Sequence, residues 1–211
     1  ESEGSPASSA SRTDSVQDLS EPLSPEETDL SPQHLADQIH RNVVSVVKQP
    51  FVQNIELELP ADRTVYITDD ETGLSEALAH EFSSRNIPAV LLTKQMVSDM
   101  VAGQKSVNNA AGLILVAESR MNDERFLKHS FVLAKQLGPD LLDSAKKGGA
   151  LFATITRLDG AFGFKGRGMT APLQGGLAGL AKTASLEWEN VCCRAMDIAP
   201  DWKENTQIAT A

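Results

Sequence analysis

From Arg63 onward, short apolar runs rich in Val, Ile and Leu alternate with longer stretches whose apolar residues recur every third or fourth position. Strand-length runs separated by helical periodicity are the pattern of a parallel sheet joined by crossover helices. The runs predict strands at Thr64 to Thr68, Ala89 to Thr93, Gly112 to Ala117, Ala150 to Thr156 and Cys193 to Ile198, with helices filling the intervals. The expected class is α/β, a Rossmann-like, mainly parallel sheet with helices on both faces. Between Asp123 and Lys147, Phe126, Leu127, Val132, Leu137 and Leu141 mark one helical face. Gly138-Pro139 is expected to kink this helix or divide it in two. A last helix, from Pro172 to Trp188, carries Gly and Ala on one side, which suits close packing on a sheet.

Upstream of Arg63 the pattern differs. Ser31-Pro32 reads as an N-cap followed by Pro at the first helical position, and Leu35, Ile39, Val43 and Val46 then recur at helical spacing. One amphipathic helix ending before Pro50 is expected. Asn54 to Leu59 alternates polar and apolar residues, which predicts an edge or lead-in strand. From Glu1 to Ser31, Ser, Pro and acids dominate, and such a segment cannot bury enough apolar surface to offset the entropy of ordering it. The expected organisation is a disordered acidic linker over 1–31, a helix and lead-in strand over 32–62, and an α/β domain over 63–211. The linker reads either as a tether between domains or as a ragged terminus. Because the chain starts at Glu1 rather than Met and stops at Ala211 in a helix-compatible stretch, it is expected to be a piece of a longer polypeptide.

Composition narrows the function classes. Hydrophobic residues make up 41% and aromatics 5%, so the core is expected to be built from Leu, Val, Ile and Ala. No apolar run reaches the roughly 18 to 20 residues that span a bilayer, and no basic-then-apolar leader opens the chain, so no membrane partner is expected. A net charge of −10 argues against nucleic acid, which is bound by Lys and Arg neutralising phosphates. The only cysteines, Cys192 and Cys193, are adjacent and cannot staple distant segments, which fits a reducing, cytoplasmic compartment. His34, His40, His80 and His129 lack ligand spacing, and no metal site is expected.

Val65-Tyr66-Ile67-Thr68, then Asp69-Asp70-Glu71-Thr72-Gly73-Leu74-Ser75 and Glu76-Ala77-Leu78-Ala79, has the shape of a strand, a turn and a helix opening. It resembles the first unit of a short-chain dehydrogenase. Thr156-Arg157-Leu158-Asp159-Gly160-Ala161-Phe162-Gly163 and Gln174-Gly175-Gly176-Leu177-Ala178-Gly179-Leu180-Ala181-Lys182-Thr183-Ala184 resemble the ketoreductase region of modular type I polyketide synthases and polyunsaturated fatty acid synthases. Cys193-Arg194-Ala195-Met196-Asp197-Ile198-Ala199-Pro200 resembles the strand that follows. The resemblance runs from Arg63 to Pro200 and is strongest from Ala150. It implies an enzyme built from two Rossmann-like halves, the first truncated and structural, the second catalytic and NADPH-binding. It also implies that the parent reduces a carrier-bound 3-ketoacyl thioester to the 3-hydroxy form.

The residues decide which half this chain resembles. A dinucleotide turn needs glycines so that backbone can approach the pyrophosphate at a helix N-terminus. Here Gly73 is the sole glycine, and Asp69, Asp70 and Glu71 stand where a diphosphate would lie. Like charges about 4 Å apart repel by about 4 kcal/mol at an effective dielectric of 20. The same carboxylates also favour a helix start. The resemblance places the superfamily's catalytic Tyr, Lys and Ser on Thr170, Gln174 and Arg157, none of them suitable: a threonine hydroxyl is too weak an acid to replace a phenol, and Gln174 has no charge with which to activate one. The interval between Leu92 and Gly112 is too short for the helix, strand and helix of a full Rossmann unit, so a truncated sheet lacking the third strand is expected.

The expectation is therefore a chain with no catalytic, cofactor-binding or metal-binding residues of its own. Its partner would be the catalytic half of the same polypeptide, with a carrier-protein domain as a further candidate. Two other readings are a divergent reductase using Thr170, Gln174 and Arg157, and a nucleotide-free protein-binding module. Lys165-Gly166-Arg167-Gly168 could cradle a carrier-arm phosphate, pack against acids of the second half, or be a solvated loop. Asn108-Asn109-Ala110-Ala111 reads as a polar turn, Tyr66 as a core or sheet-edge residue, one thiol of Cys192-Cys193 as inward-facing, and Trp188 as a cap on the core.

Overall fold

The computed structural model describes residues 45–47, 57–118, 124–165 and 171–210. Among the described residues, five strands form one sheet: β1 Thr64–Thr68, β2 Ala89–Leu92, β3 Ala110–Val116, β4 Leu151–Thr156 and β5 Cys192–Asp197. Their order is β2-β1-β3-β4-β5, and every pairing is parallel. Five helices connect or follow them: α1 Leu74–Ser84, α2 Lys94–Val101, α3 Arg125–Lys147, α4 Gly175–Glu187 and α5 Asn205–Thr210, with a 3₁₀ turn Pro172–Gln174 leading into α4. This is the order of a doubly wound Rossmann sheet (3-2-1-4-5-6) from which the outer third strand is missing. Between β2 and β3 there is only α2, as the short interval predicts.

The sheet is covered unequally. On one face Tyr66, Leu113, Leu115 and Phe152 pack against Met100 of α2, Leu133, Leu137 and Leu141 of α3, and Leu177 and Ala181 of α4. On the other, Val65, Ile67, Ile114, Val116 and Ile155 meet Leu74 of α1 and Ile208 of α5. All seven residues of β3 are buried, which is why the central strand reads as an unbroken apolar run rather than an alternation. Trp188 closes the end of α4 by packing edge-on to Phe152 at 5.1 Å and against Gly138 of α3, where a Cβ would lie 3.1 Å from its ring.

Three expectations are corrected. Helix α3 is not divided: Pro139 lies inside it on the exposed side, and the carbonyl its missing N–H leaves free belongs to exposed Lys135, where water can pair it. The described part of the predicted lead-in strand, residues 57–59, forms no ladder. Its alternation records burial alone, since Leu59 packs on the second core while Pro60 has no N–H to donate. Ser45, Val46 and Val47 are exposed and not helical, consistent with the low helix propensity of a valine-rich, β-branched run. The rest of the predicted 31–50 helix and the 1–31 segment lie outside the described residues. No described helix is long and apolar enough to cross a membrane.

Candidate functional site

In an open α/β sheet, ligands bind beyond the carboxyl ends of the strands where the strand order reverses. That point lies between β1 and β3, because the chain leaves β1 toward β2 and then crosses back to β3. The turn from β1 into α1 is built on its own acids. Asp70, 2% exposed, accepts from the Ser75 N–H at 3.0 Å and from the Thr72 hydroxyl. Its N–H donates to Ser75 Oγ, whose hydroxyl donates to the Thr68 carbonyl at 2.7 Å. The Asp69 carboxylate accepts from the Glu71 N–H at 2.8 Å. Gly73 has φ +88°, a conformation that glycine adopts without strain.

These carboxylates therefore serve as turn caps, in the place where a dinucleotide site presents bare N–H groups to phosphate. Asp69, Asp70 and Glu76 bring carboxylate oxygens within 4.8 Å of one another, the one such grouping of His, Cys, Asp and Glu among the described residues. Lys94 spans the crevice rim, pairing with Glu71 at 2.8 Å and Glu118 at 3.1 Å. The hydrogen bond to Glu71, with Glu118 adding to it, raises the Lys94 pKa above its ordinary value.

Gln174 and Arg157, matched by resemblance to the catalytic Lys and Ser, are both engaged with the chain itself. Gln174 is 1% exposed. Its Oε1 accepts from the Arg157 N–H at 2.7 Å, and its Nε2 donates to the Glu118 carbonyl at 3.2 Å, joining the ends of β3 and β4. The Arg157 guanidinium donates to the Trp202 carbonyl at 2.9 Å and to Asn205 Oδ1 at 3.2 Å. Asn205 Nδ2 then donates to the Thr72 carbonyl at 2.8 Å. A Cβ on Gly73 would lie 3.3 Å from that amide nitrogen. The segment after β5 thus lies over the β1–α1 turn, and Ile208 of α5 is buried with Leu74 of α1. Thr170, the position matched to the catalytic Tyr, lies outside the described residues, as do Gly166, Arg167 and Gly168.

Beside the crevice, two carboxylates organise the loop after β4. Asp197 accepts from the Thr156 hydroxyl and from the N–H groups of Leu158, Asp159, Ala161 and Phe162. Burial pushes its pKa up, but these hydrogen bonds outweigh that and hold it below the ordinary carboxylate value. Asp159, 5% exposed, accepts from the N–H groups of Ala161, Gly163 and Lys165. Lys165 also donates its ammonium to the Asp159 carbonyl at 3.2 Å, so its described contacts are local. Gly160 has φ +71°, and a Cβ there would lie 3.0 Å from the backbone nitrogen of Ala199. Sequence reasoning had Asp159 and Asp197 inside quoted motifs but did not assign their roles, because each carboxylate serves a loop that only the fold brings to it.

The remaining candidates are away from the crevice. Tyr66 is buried, its hydroxyl donating to the Asn108 carbonyl at 2.9 Å at the opposite end of the sheet. Burial raises its pKa, with the charge of Asp140 adding to the effect. Asn109, at φ 55°, forms the turn before β3 and accepts from the Thr64 N–H. His80 is exposed and His129 half-buried, while His34 and His40 lie outside the described residues. Cys193 faces inward at 8% exposure, and burial pushes its thiol pKa up to about 11.

No protein-family model matches the chain, and no curated protein matches it. Among solved structures, it is similar to a 3-ketoacyl-(acyl-carrier-protein) reductase from Brucella melitensis complexed with NADH. That match has 11% identity and a TM-score of 0.41 over 64% of this chain and 73% of that one. A protein described as an NAD(P)-dependent gluconate 5-dehydrogenase from Beutenbergia cavernae matches at 19% identity and TM-score 0.41, over 70% of this chain and 76% of the other. Scores this low carry no argument about site or activity. The Rossmann-like assignment rests on the sheet order and the crossover helices.

Proposed function

We propose that this chain is a structural, non-catalytic subdomain supporting the NADPH-dependent β-ketoacyl reductase of a polyketide or polyunsaturated fatty acid synthase. The observation that supports this reading most is the use to which Arg157 and Gln174 are put. Both spend their polar groups on holding the chain's own backbone across the crevice, and Asn205 completes the closure. A hydride-transfer site needs those groups free to face substrate and cofactor. The acid-capped turn points the same way, since it offers carboxylates where a diphosphate needs donors.

In this reading the chain supplies packing to a catalytic half in the same polypeptide, and NADPH belongs to that half. Two measurements test it. Incubated with NADPH and a 3-ketobutyryl thioester, the chain alone is expected to consume no NADPH above the blank; steady consumption lost in Thr170→Ala would make it a divergent reductase instead. Mixed with a reductase catalytic half of such a synthase, expressed without its own structural half, the chain is expected to raise that half's melting temperature by linkage. An unchanged midpoint across the titration contradicts the bracing role.

A further inference from the structure

Without a third strand, β2 stands at one rim of the described sheet and β5 at the other, and the two rims are finished differently. The Val65 and Asp69 N–H groups donate to the Pro88 and Leu92 carbonyls, so the backbone groups of Pro88, Val90 and Leu92 face β1. Those of Ala89 and Leu91 therefore point outward, because alternate residues of a strand bond on opposite sides, and they have no partner among the described residues. At the other rim the Arg194 guanidinium donates to the Cys193 carbonyl at 2.8 Å, and a charge laid along an edge blunts it. β2 reads Ala-Val-Leu-Leu, with no charge and no bulge in its register with β1, and Val90 is 40% exposed. Beside it Phe82, Ile87, Ala89 and Leu91 pack on the second core yet stay only partly buried. An unguarded apolar edge of this kind is a template for one more strand.

An uncharged edge can be its own complement, which a two-fold interface requires. Laid antiparallel about an axis through Val90, Ala89 of one copy faces Leu91 of the other and Leu91 faces Ala89, so the outward N–H and C=O groups of both pairs bond to each other. Val90 then meets Val90 as the close, non-hydrogen-bonded pair, with Cα atoms about 4.5 Å apart, where β-branched side chains pack well. The cations near the strand ends bring their own counter-ions, Arg85 with Glu81 and Lys94 with Glu71 and Glu118, so like charges do not oppose the pairing. We propose that the β2 edge is an isologous pairing site whose occupant is β2 of a second copy of this chain, which joins two sheets into one. None of this rests on the reductase reading, since no side chain of β2 takes part in closing the crevice.

Sedimentation velocity of the 211-residue chain over about a hundredfold concentration range in the micromolar region is the test. Wild type is expected to pass from monomer to dimer. Val90→Lys and Val90→Glu alter an exposed side chain and leave the ladder to β1 intact, so both should keep the wild-type circular dichroism. Each alone should weaken dimerisation by at least about tenfold, because like charges then face each other across the axis. Mixed in equal amounts, the two variants should pair with one another to within about threefold of wild type. Ala89→Pro, which removes an outward N–H that β1 does not use, should also weaken the dimer. A wild type that stays monomeric throughout overturns the proposal. So does dimerisation unaffected by Val90→Lys, or a mixture no more dimeric than its separate parts.

Discussion

Replacing Gln174 with lysine restores the residue type that the resemblance places at this position in a working reductase, and it should damage this chain. Gln174 is 1% exposed and gives one acceptor to the Arg157 N–H and one donor to the Glu118 carbonyl. A lysine ammonium has three donors and no acceptor, so the Arg157 N–H loses its partner, at about 1 to 3 kcal/mol. The buried ammonium would find the Glu118 carbonyl but no counter-ion, and burying such a charge costs several kcal/mol more. Allowing for relaxation toward solvent, the combined loss is about 3 to 5 kcal/mol, a large part of the roughly 5 to 15 kcal/mol that holds a domain together. Urea unfolding should register that loss, and the melting temperature should fall by about 6 to 20 °C. Gln174→Met, which removes both bonds without adding charge, should cost less than Gln174→Lys. If Gln174→Lys stays within about 0.5 kcal/mol of wild type, the site tolerates a lysine and the structural reading of this position is refuted.

Asp197 gives a prediction in pH. Its folded pKa is depressed, so the stability it contributes is present above the unfolded carboxylate pKa, near 3.8, and is lost as pH falls below that through the folded value. The acid limb of the unfolding midpoint should therefore be shallower in Asp197→Asn than in wild type, and equal slopes would contradict the assignment. Gly160→Ala should cost at least about 2 kcal/mol, since it adds crowding against Ala199 to a left-handed backbone, whereas Gly103→Ala, left-handed but open, should cost about 1 kcal/mol in the same unfolding assay. Arg157→Ala should accelerate amide exchange across residues 202–210 and in the β1–α1 turn, because it frees Trp202 and Asn205. Unchanged exchange would mean that the closing segment is held by other contacts.

Strands β1, β3 and β4 were legible because burial on both faces leaves a near-continuous apolar signature, whereas the partly exposed β2 and β5 were legible from short runs between helical stretches; all five lie within two residues of their predicted bounds. The missing third strand was legible too, from the length of the interval between β2 and β3. That helix α3 runs on undivided past Pro139 was not legible, because a proline's effect depends on whether its orphaned carbonyl is wet, which is a property of the packed fold. At the candidate site, residue type showed what Gln174 and Arg157 lack but not what they do. The bonds that explain them reach from Gln174 to Glu118 and from Arg157 to Asn205, far apart in sequence. Asn205 lies beyond the quoted motifs, so no motif pointed to closure of the crevice by the chain's own downstream segment. Asp197 and Asp159 were hidden for the same reason: acidic residues in a motif do not reveal which amides the fold will aim at them.

The crevice beyond β1 and β3 is capped by its own acids and covered by the chain's own downstream segment. Isothermal calorimetry of the 211-residue chain with NADPH tests it most directly. No saturable heat is expected up to about millimolar NADPH, the weak end of the affinity scale. A saturable isotherm with a micromolar Kd, weakened by a substitution at Asn205 or Gly73, would contradict it.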